Sequence, residues 1–280
     1  MTQETSTVTK QSESIKRSIV KQIELSAPAK AVWRALTDPE ELVRWFPLEA
    51  KVTPGVGGSL TLSWDEGLTG TQEIEIWEPN KRLRLLDASR FSTADSNQKE
   101  FLSIDWSLEK RGGKTLVRLI HFGFGEGPDW ENEYFDSVNY GWDFMLANLR
   151  LALEVHPGID RKVAWPRKML AISREDAYER LAAPGMLFDE GLPPNLKAGD
   201  ALTMETATGE SWSGRVEMIS PPRGFGLRVS EWNDALVWLT IEGVSGKYEA
   251  QLWLSAYGIP DQRVTEFEES WKREFDRIFE

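Results

Sequence analysis

The periodicity of the apolar residues changes in the first half of the chain, and that change restricts the fold more than any other feature. Between Lys51 and Phe122 apolar and polar residues alternate with period two, punctuated at short intervals by Gly, Pro and Asn. The pattern predicts an antiparallel meander of six strands with one face toward a core and one toward water. Leu60, Leu62 and Trp64 share a side, as do Ile74 and Ile76, Leu83 and Leu85, then Leu102, Ile104, Trp106 and Leu108, and finally Val117, Leu119 and His121. Farther on, Val138, Trp142, Met145, Leu146, Leu149 and Leu153 recur at steps of three and four, the stripe of a long helix. A sheet with one apolar face and a helix with one apolar stripe can bury those surfaces only against each other. The expected fold is therefore α+β, a curved antiparallel sheet gripping a C-terminal helix.

A strand over Ile15–Leu25 precedes the meander. Ser26-Ala27-Pro28 and Asp38-Pro39-Glu40-Glu41 each carry the cap and early proline of a short helix. His156-Pro157-Gly158 closes the long helix, and the stretch that follows reads as a linker. A repeat then emerges. Gly57-Gly58-Ser59-Leu60-Thr61-Leu62 lies over Gly199-Asp200-Ala201-Leu202-Thr203-Met204, 142 residues on, and Ile74-Glu75-Ile76-Trp77-Glu78-Pro79 lies over Val216-Glu217-Met218-Ile219-Ser220-Pro221 at the same separation. Phe124-Gly125 matches Tyr257-Gly258, and the stripe around Trp142 matches Phe267, Trp271, Phe275 and Ile278. The expected division is a disordered tail at 1–14, a helix-grip domain at 15–157, a linker at 158–168 and a divergent second copy, trimmed between Val229 and Lys247, at 169–280.

At 40% hydrophobic and 28% charged residues the composition is that of a globular protein. The absence of cysteine excludes disulfides, thiolate metal sites and a cysteine nucleophile, and agrees with a cytoplasmic, reducing compartment. A net charge of −12 argues against nucleic acid and anionic membranes, which are held by Lys and Arg. No run of about 18 apolar residues predicts a membrane-spanning helix.

With this order of elements the first half resembles the SRPBCC (START-like, helix-grip) superfamily, and within it the family named after the homologue of the activator of the ninety-kilodalton heat-shock-protein ATPase. The resemblance rests on Leu25-Ser26-Ala27-Pro28-Ala29-Lys30-Ala31-Val32-Trp33-Arg34-Ala35-Leu36-Thr37-Asp38-Pro39-Glu40-Glu41-Leu42-Val43-Arg44-Trp45, on Trp77-Glu78-Pro79-Asn80-Lys81-Arg82-Leu83, and on Thr115-Leu116-Val117-Arg118-Leu119-Ile120-His121-Phe122-Gly123-Phe124. It implies a fold that holds lipids, polyketides and other hydrophobic ligands, or one that acts on partner proteins as a stress-associated co-chaperone. These motifs mark turns, caps and core, so they carry the fold and not the function.

Catalytic candidates are few. His121 and His156 are the only histidines. His121 points inward, either as a polar anchor for a ligand head group or as a core histidine satisfied by a neighbour; His156 sits at a helix end, where partial positive charge is favourable. Glu73 with Glu75 and Glu131 with Glu133 fall on solvated faces or loops, which do not shift a pKa. Pro54-Gly55-Val56-Gly57-Gly58 is a turn rather than a phosphate cradle, since a strand follows it. Gly127-Pro128-Asp129-Trp130-Glu131-Asn132-Glu133 reads as a loop, a lid or a partner contact. The expected role is non-enzymatic binding of a small hydrophobic molecule between sheet and helix by Trp45, Leu62, Trp64, Ile76, Leu85, Trp106, His121, Trp142 and Met145, with Trp45 near the mouth. Plain core filling by the same tryptophans is the competing reading. Neither metal nor cofactor is expected. The alternatives are a protein-interaction module and a cyclase- or hydrolase-like enzyme, and nothing in the sequence sets an oligomeric state.

Overall fold

The computed structural model describes residues 17–65, 67–87, 102–125, 129–244 and 246–280; the stretch 1–14 expected as a tail lies outside them. The first copy opens with β1 (Arg17–Leu25), α1 (Ala29–Thr37) and α2 (Pro39–Leu42). A meander follows, of β2 (Glu49–Thr53), β3 (Ser59–Asp65), β4 (Leu68–Glu78), β5 (Arg82–Asp87), β6 (Leu102–Arg111) and β7 (Lys114–Phe124), and then α3 (Asp129–Arg150), which widens into a π-helical turn over Leu151–Val155. The seven strands are ordered β1-β7-β6-β5-β4-β3-β2, all antiparallel.

Asp38 caps α2 as expected, its Oδ1 accepting from the Glu40 N–H at 3.1 Å. Ser26 does not cap α1: Pro28 holds that position without a side-chain bond, and the Ser26 N–H donates to Glu154. Asp129–Glu133, expected in a loop, form the first turns of α3.

The second copy contains β8 (Arg161–Ala164), β9 (Arg167–Leu170), α4 (Arg174–Ala182), β10 (Ala201–Glu205), β11 (Ser211–Ser220), β12 (Gly224–Val229), β13 (Ala235–Val244), β14 (Lys247–Tyr257) and α5 (Asp261–Phe279). Its sheet runs β10-β11-β12-β13-β14, with β8 and β9 both on β14. The stretch 158–168, expected as a linker, is therefore mostly strand: β8 and β9 are one edge strand broken at Trp165-Pro166, and it takes the place that β1 takes beside β7. In place of α2 and β2, residues 183–200 run irregularly, and a single bridge from Phe188 to Thr206 remains at the sheet edge.

The two copies stack into four layers: first sheet, α3, second sheet, α5. One face of α3 carries Trp142, Leu146 and Leu149 toward the first sheet. Its opposite face carries Tyr140 and Phe144, which pack on the back of the second sheet; the Phe144 ring stacks on Trp238 with centroids 4.4 Å apart, and Tyr140 lies 5.5 Å from the same indole. The central strands of the second sheet are consequently apolar on both sides. In β13, Leu236 and Trp238 face α3 while Val237, Leu239 and Ile241 face α5. The run Ala235-Leu236-Val237-Trp238-Leu239-Thr240-Ile241 lacks alternation for this reason.

Because this seam is a shared core, Trp238→Ala is expected to lower stability by about 3–5 kcal/mol and to shift the urea unfolding of both copies together. Two separate transitions, with only the second moved, would contradict a single cooperative body.

Candidate functional site

Between the first sheet and α3 lies a cavity of about 230 Å³. Three rings frame it. Phe46 stands just past α2, Trp64 lies next to the end of β3 and Trp142 comes from α3; Phe46 stacks on Trp142 at 5.5 Å and meets Trp64 edge-on at 5.2 Å. Leu62, Val138 and Met145 add aliphatic surface, and Gly141, in mid-helix, leaves open space where a side chain would project.

The polar groups of the cavity are few and specifically placed. His121 is 7% exposed, and its Nδ1 accepts from the Trp142 indole N–H at 3.1 Å. An indole nitrogen can only donate, so this contact defines a neutral imidazole with its proton on Nε2. Gln72 enters from β4, opposite Leu60. Its Oε1 is buried and accepts no hydrogen bond. Asp87 and Tyr134 complete the polar lining.

Of the nine residues singled out in the sequence, Leu62, Trp64, His121, Trp142 and Met145 line the cavity. Trp45, Leu85 and Trp106 instead form a closed floor beneath it. Trp45 is fully buried with its indole N–H on the Ala35 carbonyl at 2.7 Å, so it is not at the mouth; the chain turns after α2 and brings Phe46 there. Trp106 sits edge-on to both Trp45 and Trp142. Ile76 faces away. A bulge between Ile74 and Ile76 advances β4 by one residue, so Ile76 pairs with outward-facing Arg84, and Trp77 turns in to meet Trp33 edge-on at 5.1 Å. A bulge cannot be read from alternation. Sequence reasoning also missed Gln72 and Gly141, although both left signals: Gln72 has the parity of Ile74, and a glycine inside a long helix is unfavourable without a reason.

The second copy holds part of this wall in place. Arg161 of β8 reaches across the seam, and its Nη2 donates to the carbonyls of Phe46 at 3.3 Å and Pro47 at 2.5 Å. Its Nε and Nη1 are buried without partners, and desolvation lowers its pKa to about 10. The Tyr257 hydroxyl donates to the Arg44 carbonyl at 2.7 Å, and the Arg44 guanidinium reaches Asp160 at 3.1 Å. Three carbonyls of the 44–47 turn are thus capped from the other copy. His156 stacks flat on Tyr257 at 4.6 Å, and burial holds its imidazole below the ordinary pKa of 6.5, so it is neutral rather than the partial cation expected at a helix end.

The repeat supplies an internal comparison. Gln72 pairs with Leu60 as Gly214 pairs with Leu202; Asp87 pairs with Leu102 as Val229 pairs with Ala235; His121 pairs with Ile104 as Leu254 pairs with Val237. Three polar inward positions of the first copy are therefore Gly, Val and Leu in the second. Trp271 keeps the place of Trp142 on its helix, but with Leu254 in place of the histidine its indole N–H is buried and unpartnered. The corresponding space is filled by Phe188, Trp212 and Phe225 around Trp271.

Among the described residues no group of His, Asp and Glu is arranged to hold a metal ion, and no helix is long and apolar enough to cross a membrane. Glu73 is exposed and Glu75 pairs with Arg84 at 3.1 Å on the outer face.

The architecture is that of two tandem helix-grip domains. Residues 26–154, within the first copy, match the family described as activator of Hsp90 ATPase homolog 1-like protein. Among solved structures, the chain is similar to the Aha1 dimer from Colwellia psychrerythraea, at 22% identity over 51% of this chain and 99% of that one, with a TM-score of 0.44. It is similar to protein MLL2253 from Mesorhizobium loti, at 25% identity over 49% and 97%, TM-score 0.42. DynU16, a protein of the dynemicin biosynthetic locus, matches over 94% of this chain and 96% of that one at 13% identity, TM-score 0.41. No curated protein matches the sequence.

Two outcomes follow from the seam. Replacing Arg161 with Met and Tyr257 with Phe together is expected to speed amide hydrogen exchange over residues 44–48 while leaving α5 protected; unchanged exchange would show that the capping is idle. For His156, the folded pKa lies below the unfolded one, so the unfolded chain binds the extra proton as pH falls through about 6.5 and stability drops there. In His156→Phe, which keeps the stacked ring, urea unfolding across that window should be flatter with pH than in the wild type.

Proposed function

We propose that the first copy binds a small, largely apolar molecule in the cavity between its sheet and α3, without catalysing a reaction, and that the second copy serves as the scaffold that completes this domain. The observation carrying this reading is the contrast between the copies. The same fold is built twice, once with a filled interior of Gly214, Val229 and Leu254 and once with Gln72, Asp87 and His121 around open space. Polar side chains and a void both oppose stability inside a core, and the filled copy demonstrates that the fold does not require them. A helix-grip domain of the ligand-binding kind accounts for their presence.

Gly141 supports the same reading. Glycine in a helix interior costs roughly 1 kcal/mol relative to alanine, yet a side chain here would meet nothing but cavity. The interaction alternative, co-chaperone-like contact with a protein, has one observation in its favour: Val20 and Phe122 are 49% and 44% exposed on the outer face of β1 and β7.

Gly141→Leu tests the cavity directly. It is expected to raise the melting temperature, through helix propensity and filled space, and to abolish the ligand adducts that the wild-type chain is expected to form in native mass spectrometry with a library of apolar compounds. Adducts that persist in the variant at wild-type affinity would rule out this cavity as their site and move the interaction reading ahead.

A further inference from the structure

The seam between the copies holds a second open space, a crevice of about 380 Å³ that neither copy forms alone. One wall is the outward side of α3, with Asp136, Asn139 and Asp143. The other is built by the second copy, from Arg174 and Glu175 at the start of α4 and from the turn between β11 and β12, Ser220 to Arg223. Where the cavity under the other face of α3 is mainly apolar, this crevice is lined mainly by polar and charged side chains.

Its inner end is positive. Arg174 and Arg223 are only 8% and 7% exposed, and both are fixed to one stretch of β13, residues 241–243. Arg223 has its counter-charge: Nη1 donates to Glu242 Oε2 at 3.2 Å, and the same carboxylate accepts from Thr240 at 2.6 Å and from Ser137. Arg174 has none. Its Nε donates to the Ile241 carbonyl at 3.2 Å and its Nη2 to the Gly243 carbonyl at 2.9 Å, and its guanidinium lies 4.6 Å from the Tyr248 ring centre, but no carboxylate pairs with it among the described residues. Carbonyls and a ring hold the group in place without cancelling its charge, and a buried charge is unfavourable until an opposite one joins it. Arg174 Nη1 and Arg223 Nε and Nη2 bond to nothing among the described residues, and they are not sealed from solvent as the Arg161 nitrogens are.

The mouth has the opposite sign. Asp136 and Glu175 are exposed and make no ion pair among the described residues, whereas Asp143 is matched by Lys21 at 2.6 Å. A plain anion such as phosphate would gain the arginines but lie against two free carboxylates, and a plain cation would meet the reverse. A molecule that carries both signs satisfies both ends when its anion points inward. The planar guanidinium fork matches a carboxylate, and the crevice falls in the size range of small-molecule sites, roughly 300–1,000 Å³.

We propose that the seam crevice binds a free amino acid, with its carboxylate on Arg174 and Arg223 and its ammonium group at Asp136 and Glu175. Each copy supplies one wall, so the bound molecule clamps α3 to the second sheet, and its binding free energy adds to the stability of the whole chain.

The test titrates the full chain by calorimetry with each of the common amino acids and with inorganic phosphate. For every amino acid that binds, it adds the amine lacking the carboxylate and the acid lacking the amine. At least one amino acid is expected to bind and to raise the melting temperature. Its amine should bind about tenfold or more weakly, the value of a charge-assisted hydrogen bond, and its deaminated acid about fivefold more weakly, because the carboxylates at the mouth are exposed. In Asp136→Asn/Glu175→Gln the advantage over the deaminated acid should disappear; in Arg174→Met the advantage over the amine should. The first variant alters only exposed positions, so it decides the matter if Arg174→Met fails to fold. Binding of no amino acid, tighter binding of phosphate, equal affinity for the amino acid and either truncated analogue, or preferences that survive these substitutions would each overturn the proposal. None of these residues lines the cavity on the other side of α3, so such a failure leaves the apolar-ligand reading untouched.

Discussion

The contact between Phe144 and Trp238 is the one on which the rest of the molecule depends, because it makes α3 a helix with two buried faces. A helix needs only one apolar stripe to close a sheet over itself; this one carries a second, built from Tyr140 and Phe144. That second stripe has to be covered, and the back of β13 and β14 covers it. Every other large-scale feature follows: the two-sided apolar character of the second sheet, the four-layer order, and a seam through which the second copy reaches the walls of the first.

The duplication has allowed the two interiors to diverge. The second copy is packed with aromatic rings and is apolar on both faces of its central strands, so it contributes burial and rigidity. The first copy retains a glycine in its long helix, an unsatisfied amide oxygen, and space. Features of that sort lower stability and persist where function needs them. A rigid partner stacked on α3 offsets the loss, since the helix that carries Gly141 and Trp142 is held from behind.

Arg161 shows how closely the copies are joined. Its buried guanidinium, with no carboxylate beside it among the described residues, uses only Nη2, and the two carbonyls that Nη2 meets belong to the turn that places Phe46 against the cavity. Tyr257 secures a third carbonyl of the same turn. The N–H groups of the turn bond back to Glu41 and Leu42, while its carbonyls at Arg44, Phe46 and Pro47 are met by groups more than a hundred residues away in sequence.

Much of this was legible in the sequence. Period-two alternation and the stripe from Val138 to Leu153 determined the α+β class and the gripping of helix by sheet, because side-chain direction in strands and helices is a local property. The 142-residue offset shared by two separate segments revealed the second copy, and parity alone pointed His121 inward. Tertiary structure decided what local rules cannot. The bulge at Glu75 turned Ile76 out and Trp77 in, since one inserted residue inverts all later parity. The turn after α2 put Phe46 rather than Trp45 at the cavity. The stretch 158–168 became an edge strand because β14 offered it a free ladder. And the stacking of one copy on the other, with the open cavity it leaves in only part of the first core, was set by which apolar faces remained to be covered once each sheet had closed on its own helix.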